Sequence, residues 1–410
     1  PEAGREGAGA LTILVGGAGL ASHAATLTPL DLRSPPPGLT LTTFVGGEQY
    51  GRLGIWMRTG DVTGDGTADL VIGADQEDGG TGAHRGAAYV VRGGPHLAGG
   101  GTIDLEDFGA TAIAGHLARI EPPPGSDHLH FGATVQIGDL DGNGRGEVMA
   151  AAALNRSGAT IPAVGAGAND AHGVGGTGDG TLYIAWDDNF AGNPWTPGMS
   201  FEITSSAGAR TIIDGGNANV SFGEEILGGR DYDDDGALDL FVGDIVGDLG
   251  GGSGSGSGHV FYDAALLKGL SFDRDNLPGG LVTTDFIGVE PGAISGDTGL
   301  HGDFDGDGIA DLAFSSPHAS PLLRTNAGAL HVFFGQGTPW PASIDLGAAL
   351  PGGIRVTEVV GAHGDGPGDI GDVLCYSAAA ADLDGDGRTD VITNEMVGNG
   401  VAAGTEDVAT

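Results

Sequence analysis

Short apolar runs recur along this 410-residue chain, each closed by glycine or a polar residue. One series comprises residues 70–74 (Leu-Val-Ile-Gly-Ala), 148–152, 240–243, 312–315 and 391–393. Runs this short, bounded by turn residues, predict buried β-strands. A second series starts after glycine, at 86–94, 180–186, 258–262 and 328–335. A third ends in glycine, at 111–115, 211–215, 282–288 and 356–361. An aromatic–glycine pair precedes most of the first series: Tyr50-Gly51, Phe131-Gly132 and Phe222-Gly223. Ile370-Gly371 is a weaker copy, and the fourth unit has only Ser295-Gly296, which leaves its first strand in doubt. About four strands per unit is the content of a propeller blade.

Each first-series strand follows an acidic nine-residue loop, and this loop brings in the chemistry. Positions 1, 3, 5, 7 and 9 are Asp61, Thr63, Asp65, Thr67 and Asp69 in the first copy, and Asp139, Asp141, Asn143, Arg145 and Glu147 in the second. They are Asp231, Asp233, Asp235, Ala237 and Asp239 in the third, and Asp303, Asp305, Asp307, Ile309 and Asp311 in the fourth. The fifth has Asp382, Asp384, Asp386, Arg388 and Asp390, and glycine holds position 6 throughout. Hard cations such as calcium take six to eight oxygen ligands, and a sharp glycine turn lets alternate residues converge on one ion. Position 7 is expected to offer its carbonyl, which frees its side chain. An EF-hand would need a bidentate Glu at position 12. That position holds Ile72, Ala150, Val242, Phe314 and Thr393, so these are calcium loops leading into strands. Loops 1 and 2 carry fewer carboxylates and are expected to bind more weakly.

Composition narrows the function classes. The formal charge is −39 with a single lysine, Lys268, which argues against nucleic acid and anionic membranes. Eighteen of the 55 acids occupy ligand positions in the loops, so about five calcium ions would neutralise part of the charge. One cysteine, Cys375, allows no internal disulfide. No apolar run reaches membrane-spanning length. The opening residues hold no signal segment, and the chain reads as mature or excised. Low-affinity calcium modules work near millimolar calcium, which places the protein outside the cell or on its surface.

The units resemble FG-GAP repeats, the repeats of the integrin α-subunit propeller and of many bacterial surface proteins. The resemblance rests on the aromatic–glycine pair, the calcium loop and the strand after it, and it spans nearly the whole chain. It implies structural calcium in each loop. Integrin-like rings have seven blades, whereas five loops are visible here. The loops start at 61, 139, 231, 303 and 382, and the step from Asp382 through the termini to Asp61 is 89 residues, within the range of the others. Residues 9–17 match 86–94, so the N-terminal strand supplies what the last unit lacks. The expected fold is all-β: one domain over 1–410, a propeller of about five four-stranded blades with the N-terminal strand completing the last. The alternative is a five-repeat part of a larger ring.

The function expected is a binding or adhesion module for a protein or glycan, without membrane insertion, standing alone or within a larger surface protein. The alternative is a polysaccharide lyase or hydrolase on the same scaffold. No P-loop, H-E-x-x-H or G-x-S-x-G motif is present. The long connectors 75–85, 155–179, 244–257 and 315–327 are expected on one face. Residues 250–258 read as a flexible Gly/Ser loop. Asn169, Asp170 and His172 are the weakest ligand candidates, and His116, His128 and His130 form a sequence cluster. Trp56, Trp186, Trp195 and Trp340 are either sugar platforms or packing residues.

Overall fold

In the computed structural model, residues 5–24, 29–32, 34–77, 84–124, 129–153, 180–192, 195–216, 221–366 and 369–396 are described. They form a series of mainly antiparallel sheets with one short α-helix, Ala18–Ala24. Among the described residues no helix is long and apolar enough to cross a membrane. Unit 1 runs Met57–Gly60, Asp69–Ala74, Ala87–Val91 and Leu117–Glu121. Unit 2 runs Thr134–Gly138, Glu147–Ala151, Thr181–Ala185 and Arg210–Asp214. Unit 3 runs Ile226–Arg230, Asp239–Asp244, Ser257–Phe261 and Thr283–Ile287. Unit 4 runs Gly299–Gly302, Asp311–Ser316, Ala329–Phe333 and Val356–Val360. Its first strand is therefore present.

Burial explains the sequence pattern. The second and third strands of units 2, 3 and 4 are buried at every residue, which is why they read as apolar runs without alternation. The fourth strands Arg210–Asp214 and Thr283–Ile287 alternate, with one face to the core and one outward. The core lies between sheets. Val71, Val90 and Ile120 of unit 1 pack on Val135, Val148 and Tyr183 of unit 2. Between units 3 and 4, Phe241, Phe286, Phe314, Phe333 and Trp340 form an aromatic block, with the Phe286 and Phe333 rings 4.7 Å apart.

A fifth strand, absent from the sequence reading, links neighbouring units. Met199–Glu202 of unit 2 pairs in parallel with the last strand of unit 1. Ser271–Asp273 of unit 3 does the same for unit 2, and Ser343–Asp345 of unit 4 for unit 3. Gly101–Asp104 of unit 1 pairs with Leu41–Val45, which is antiparallel to Ala10–Leu14. The last unit contributes Leu374–Ala381 and Asp390–Glu395 as a two-stranded sheet. These strands and the N-terminal sheet are separate; no ladder joins Asp390–Glu395 to Ala10–Leu14.

Four details correct the sequence reading. The strand expected at 111–115 is instead Leu117–Glu121, preceded by a turn of 3-10 helix at Ala114–His116. In unit 1 the motif pair is Leu53-Gly54, not Tyr50-Gly51. Leu53 accepts the parallel bridge from Gly9 just as Phe131 does from Gly86 and Ser295 from Gly256. In unit 5 it is Leu374-Cys375, not Ile370-Gly371, since the Leu374 N–H bonds Ala327 as that of Phe131 bonds Arg85. The Gly/Ser run is an ordered element: Ser255 and Ser257 are fully buried, and the Ser255 carbonyl accepts from the Ser295 N–H. Segment 155–179, with Asn169, Asp170 and His172, lies outside the described residues.

The pair has a physical reason. Gly54, Gly132, Gly223 and Gly296 have φ between 84° and 97°. Each donates its N–H to the fifth residue of its second strand, Gly73, Ala151, Gly243 or Ser315. A Cβ at Gly132 would stand 2.5 Å from the Ala87 carbonyl oxygen. Gly132→Ala is expected to cost about 2–3 kcal/mol, through left-handed strain and this backbone clash. Urea melts measure it, and an unchanged midpoint would show that the pair is not under constraint.

Candidate metal centres

Each nine-residue loop joins the first strand of a unit to the second, and hydrogen bonds fold it onto itself. In loop 4 the Asp303 carboxylate accepts from the N–H groups of Gly306, Asp307 and Gly308. Asp61, Asp139 and Asp382 accept likewise at positions 4 and 6 of their own loops. The residue at position 5 takes the N–H of position 7: Asp65 from Thr67, Asn143 from Arg145, Asp235 from Ala237, Asp307 from Ile309, Asp386 from Arg388. The acid at position 9 opens the second strand and accepts the N–H of position 2: Val62, Leu140, Tyr232, Phe304 or Leu383. In units 1, 3 and 4 its other oxygen accepts from Gly93, Asp263 or Gly335, each two residues beyond the third strand.

This folding brings carboxylates together. Oxygens of Asp139, Asp141 and Glu147 lie within 4.8 Å of one another, as do those of Asp231, Asp233 and Asp239. The same holds for Asp303, Asp305 and Asp311, and for Asp382, Asp384 and Asp390. Positions 1, 3 and 9 thus converge in four loops, and in loop 1 a hydroxyl, Thr63, stands at position 3. The donor set is all oxygen. Buried oxygens of Thr63, Asp141, Glu147, Asp231 and Asp233 have no hydrogen-bond partner. Orphaned oxygens among carboxylates suit a hard cation. Burial, reinforced by the neighbouring acids, pushes Glu147 and Asp239 up to about 8, and Asp233 and Asp311 up to about 6. Exposed Asp65 goes the other way, held down mainly by the Thr67 N–H.

Nearby cations distinguish the loops. Arg92 pairs with Asp65 at 3.3 Å, and Lys268 with Asp141 at 3.3 Å. Arg355 forks onto Asp305 and Asp307 of loop 4. Among the described residues no cation pairs with loop 3 or loop 5. The position-7 arginines lean away, Arg145 over Gly64 of loop 1 and Arg388 over Gly306 of loop 4.

The fold and this loop geometry coincide with one family. The FG-GAP repeat family matches at residues 54–91 and 295–333, each from the motif pair through the third strand. The chain carries FG-GAP repeats at these two places. Its first match begins at Gly54 and the second at Ser295, in agreement with the pairs seen in the structure. Among curated proteins none matches the chain.

Two arrangements away from the FG-GAP loops carried no sequence signal. Residues in or just before the first strands of units 1, 3, 4 and 5 line one pocket of about 500 Å³, with Trp56, Arg58, Glu225, Thr298, Tyr376 and Ser377 in its wall. The Arg58 guanidinium lies 5.1 Å from the centre of the Trp56 ring. Trp186, Trp195 and Trp340 are buried, so packing accounts for three of the four tryptophans. In unit 3, Ser257 Oγ is 3.1 Å from His259 Nε2, and His259 Nδ1 is 3.0 Å from Asp285. Ser257 and His259 are fully buried, and Arg274 pairs with Asp285 beside Nδ1. The carboxylate is already matched by arginine, so the group ties two strands together. The histidine cluster divides: His116 stacks on His96 and His130 on His84, while His128 lies outside the described residues.

Proposed function

We propose that this protein is a calcium-stabilised binding module, extracellular or at the cell surface, built as a closed ring of five blades. The convergence of carboxylates in successive FG-GAP loops carries the reading. In it, positions 1, 3, 5 and 9 and the position-7 carbonyl of each loop hold one calcium ion, about five in all. Millimolar calcium outside cells suits sites of this kind.

Three observations support ring closure. Asp390–Glu395 has no buried residue, whereas the second strands of units 2, 3 and 4 are wholly buried. Ala10–Leu14 is likewise half exposed, whereas the four other third strands are buried. Each edge is what the other lacks. By the register of unit 1, where Ile72 faces Tyr89, Thr393 would face Thr12. Gly16, two residues past Ala10–Leu14, would then supply Asp390 with the N–H that Gly93 gives Asp69. Finally, residues of units 1 and 5 already line one pocket.

Ligand recognition is assigned to that pocket. Trp56 and Tyr376 offer aromatic faces, and Arg58, Glu225 and two hydroxyls offer directed polar groups, a combination suited to a saccharide or a polar side chain. A glycan array and a panel of immobilised extracellular proteins, probed in millimolar calcium, test it. Capture lost in Trp56→Ala at unchanged melting temperature supports the assignment. Capture that survives puts the ligand elsewhere, and release of cleaved saccharide would replace the binding reading with an enzymatic one.

A further inference from the structure

Four outer strands receive a parallel strand from the next unit, and the fourth strand of unit 4 does not. The donated strands share an apolar–acid pair: Ile103-Asp104, Phe201-Glu202, Phe272-Asp273 and Ile344-Asp345. Their apolar residues lie opposite Phe44, Ile120, Ile213 and Phe286, each at most 1% exposed. The matching position in Val356–Val360 is Val359, since Phe286 faces Gly258 and Val359 faces the equivalent Leu330. Val359 is 41% exposed, and the strand has no fully buried residue. An open apolar edge of this kind is what parallel pairing covers elsewhere in the molecule.

Donated strands always lie between the third and fourth strands of the next unit. In the closed ring those strands are Ala10–Leu14 and Leu41–Val45. The connector between them contains one such pair, Leu30-Asp31, 11 residues before Leu41. The four observed pairs precede their own fourth strands by 14, 9, 11 and 12 residues. The residue before the pair is Pro29, and its position tolerates proline. In unit 4 the Asp285 N–H donates to the Ala342 carbonyl, and the Leu346 N–H to Ile287. Alternation along a parallel strand then turns the N–H of Ser343, the counterpart of Pro29, away from its partner. A missing N–H at that place costs no ladder bond.

We propose that Pro29–Asp31 docks in parallel on Val356–Val360, with Leu30 opposite Val359, and seals the open edge of unit 4. The inference rests on the ring closure proposed above. Two double-cysteine variants separate the claims, with Cys375, which is buried, left in place. Thr12→Cys with Thr393→Cys reports on blade closure, and Leu30→Cys with Val359→Cys on the docked strand. Both are expected to form an intramolecular disulfide in most chains under mild oxidation, since facing residues meet the distance a disulfide requires. Leu32→Cys with Val359→Cys is expected to stay reduced. The first bridge without the second overturns the docked strand and keeps the ring. Failure of both overturns the ring and the strand together, and a bridge found only between chains assigns the edge to a second copy. In hydrogen exchange, Leu30→Asp is expected to speed the Glu358 and Val360 amides at least tenfold. Unchanged exchange there overturns the proposal without reference to the cysteines.

Discussion

Removing calcium is expected to lower the melting temperature by roughly 10 °C, and titration is expected to find about five ions per chain. Carboxylates held within ~5 Å repel one another by about 3 kcal/mol per pair at an effective dielectric near 20. A cation turns that repulsion into binding. With a dissociation constant of ~0.1 mM and ~1 mM calcium, each site contributes about 1.4 kcal/mol. Five sites give about 7 kcal/mol, comparable to the ~5–15 kcal/mol of a whole domain, and a chain of this length converts that into the shift above. Loops 3 and 5 are expected to bind most tightly, because no described cation competes there and each presents four carboxylates, Asp231, Asp233, Asp235 and Asp239 in loop 3 and Asp382, Asp384, Asp386 and Asp390 in loop 5. Asp233→Asn supplies the sign test. It is expected to lose one ion and melt lower in calcium. In chelator near pH 7.5 it is expected to melt no lower than the parent, because the amide removes a buried charge that Asp235 and Asp231 repel. A melt insensitive to chelator would end the calcium reading.

Between pH 5 and pH 8 the protein is expected to lose stability, and Glu224→Gln is expected to recover about 2 kcal/mol at pH 8 and little at pH 5. Glu224, Asp244 and Asp297 form a buried acidic group where units 3 and 4 meet. Burial pushes Glu224 up to about 8 and Asp244 and Asp297 up to about 7; nearby carboxylates add to the shift at Glu224. The folded pKa values lie above the unfolded ones, so the folded state binds more protons across this range. Their stabilising contribution is complete below about pH 4 and is lost as pH rises through 7–8. Thermal melts at fixed millimolar calcium check it. A flat profile in the parent, or an equal effect of Glu224→Gln at both pH values, would show that these carboxyls ionise in the folded state as they do in water.

The sequence showed some parts of the fold far more clearly than others. The acidic loops were legible as turns, because the spacing of their acids and a positive-φ glycine are local constraints. The second and third strands were legible because burial on both faces leaves an apolar run. The motif pair was misplaced in units 1 and 5. Tyr50-Gly51 looks like the motif, but Leu53-Gly54 occupies the bridge beside Gly9, and Cys375 at φ 64° stands where glycine stands elsewhere. The donated strands went unread because three or four residues with one apolar–acid pair carry little periodicity. Their identity lies in the partner they meet.

The amino-acid sequence by itself determined the repeat, the spacing of the acids in the loops and the second and third strands of the units, since each depends on residues within about ten positions of one another. Only the tertiary structure decided which residues share the pocket, that Trp186, Trp195 and Trp340 are core, and that Ser257, His259, Asp285 and Arg274 form one network. It also decided that units 2, 3 and 4 are each tied to the one before by a donated strand. Those facts depend on strands tens to hundreds of residues apart meeting in a particular register, and one apolar run fits a buried strand in any unit equally well until the neighbouring sheet is in place.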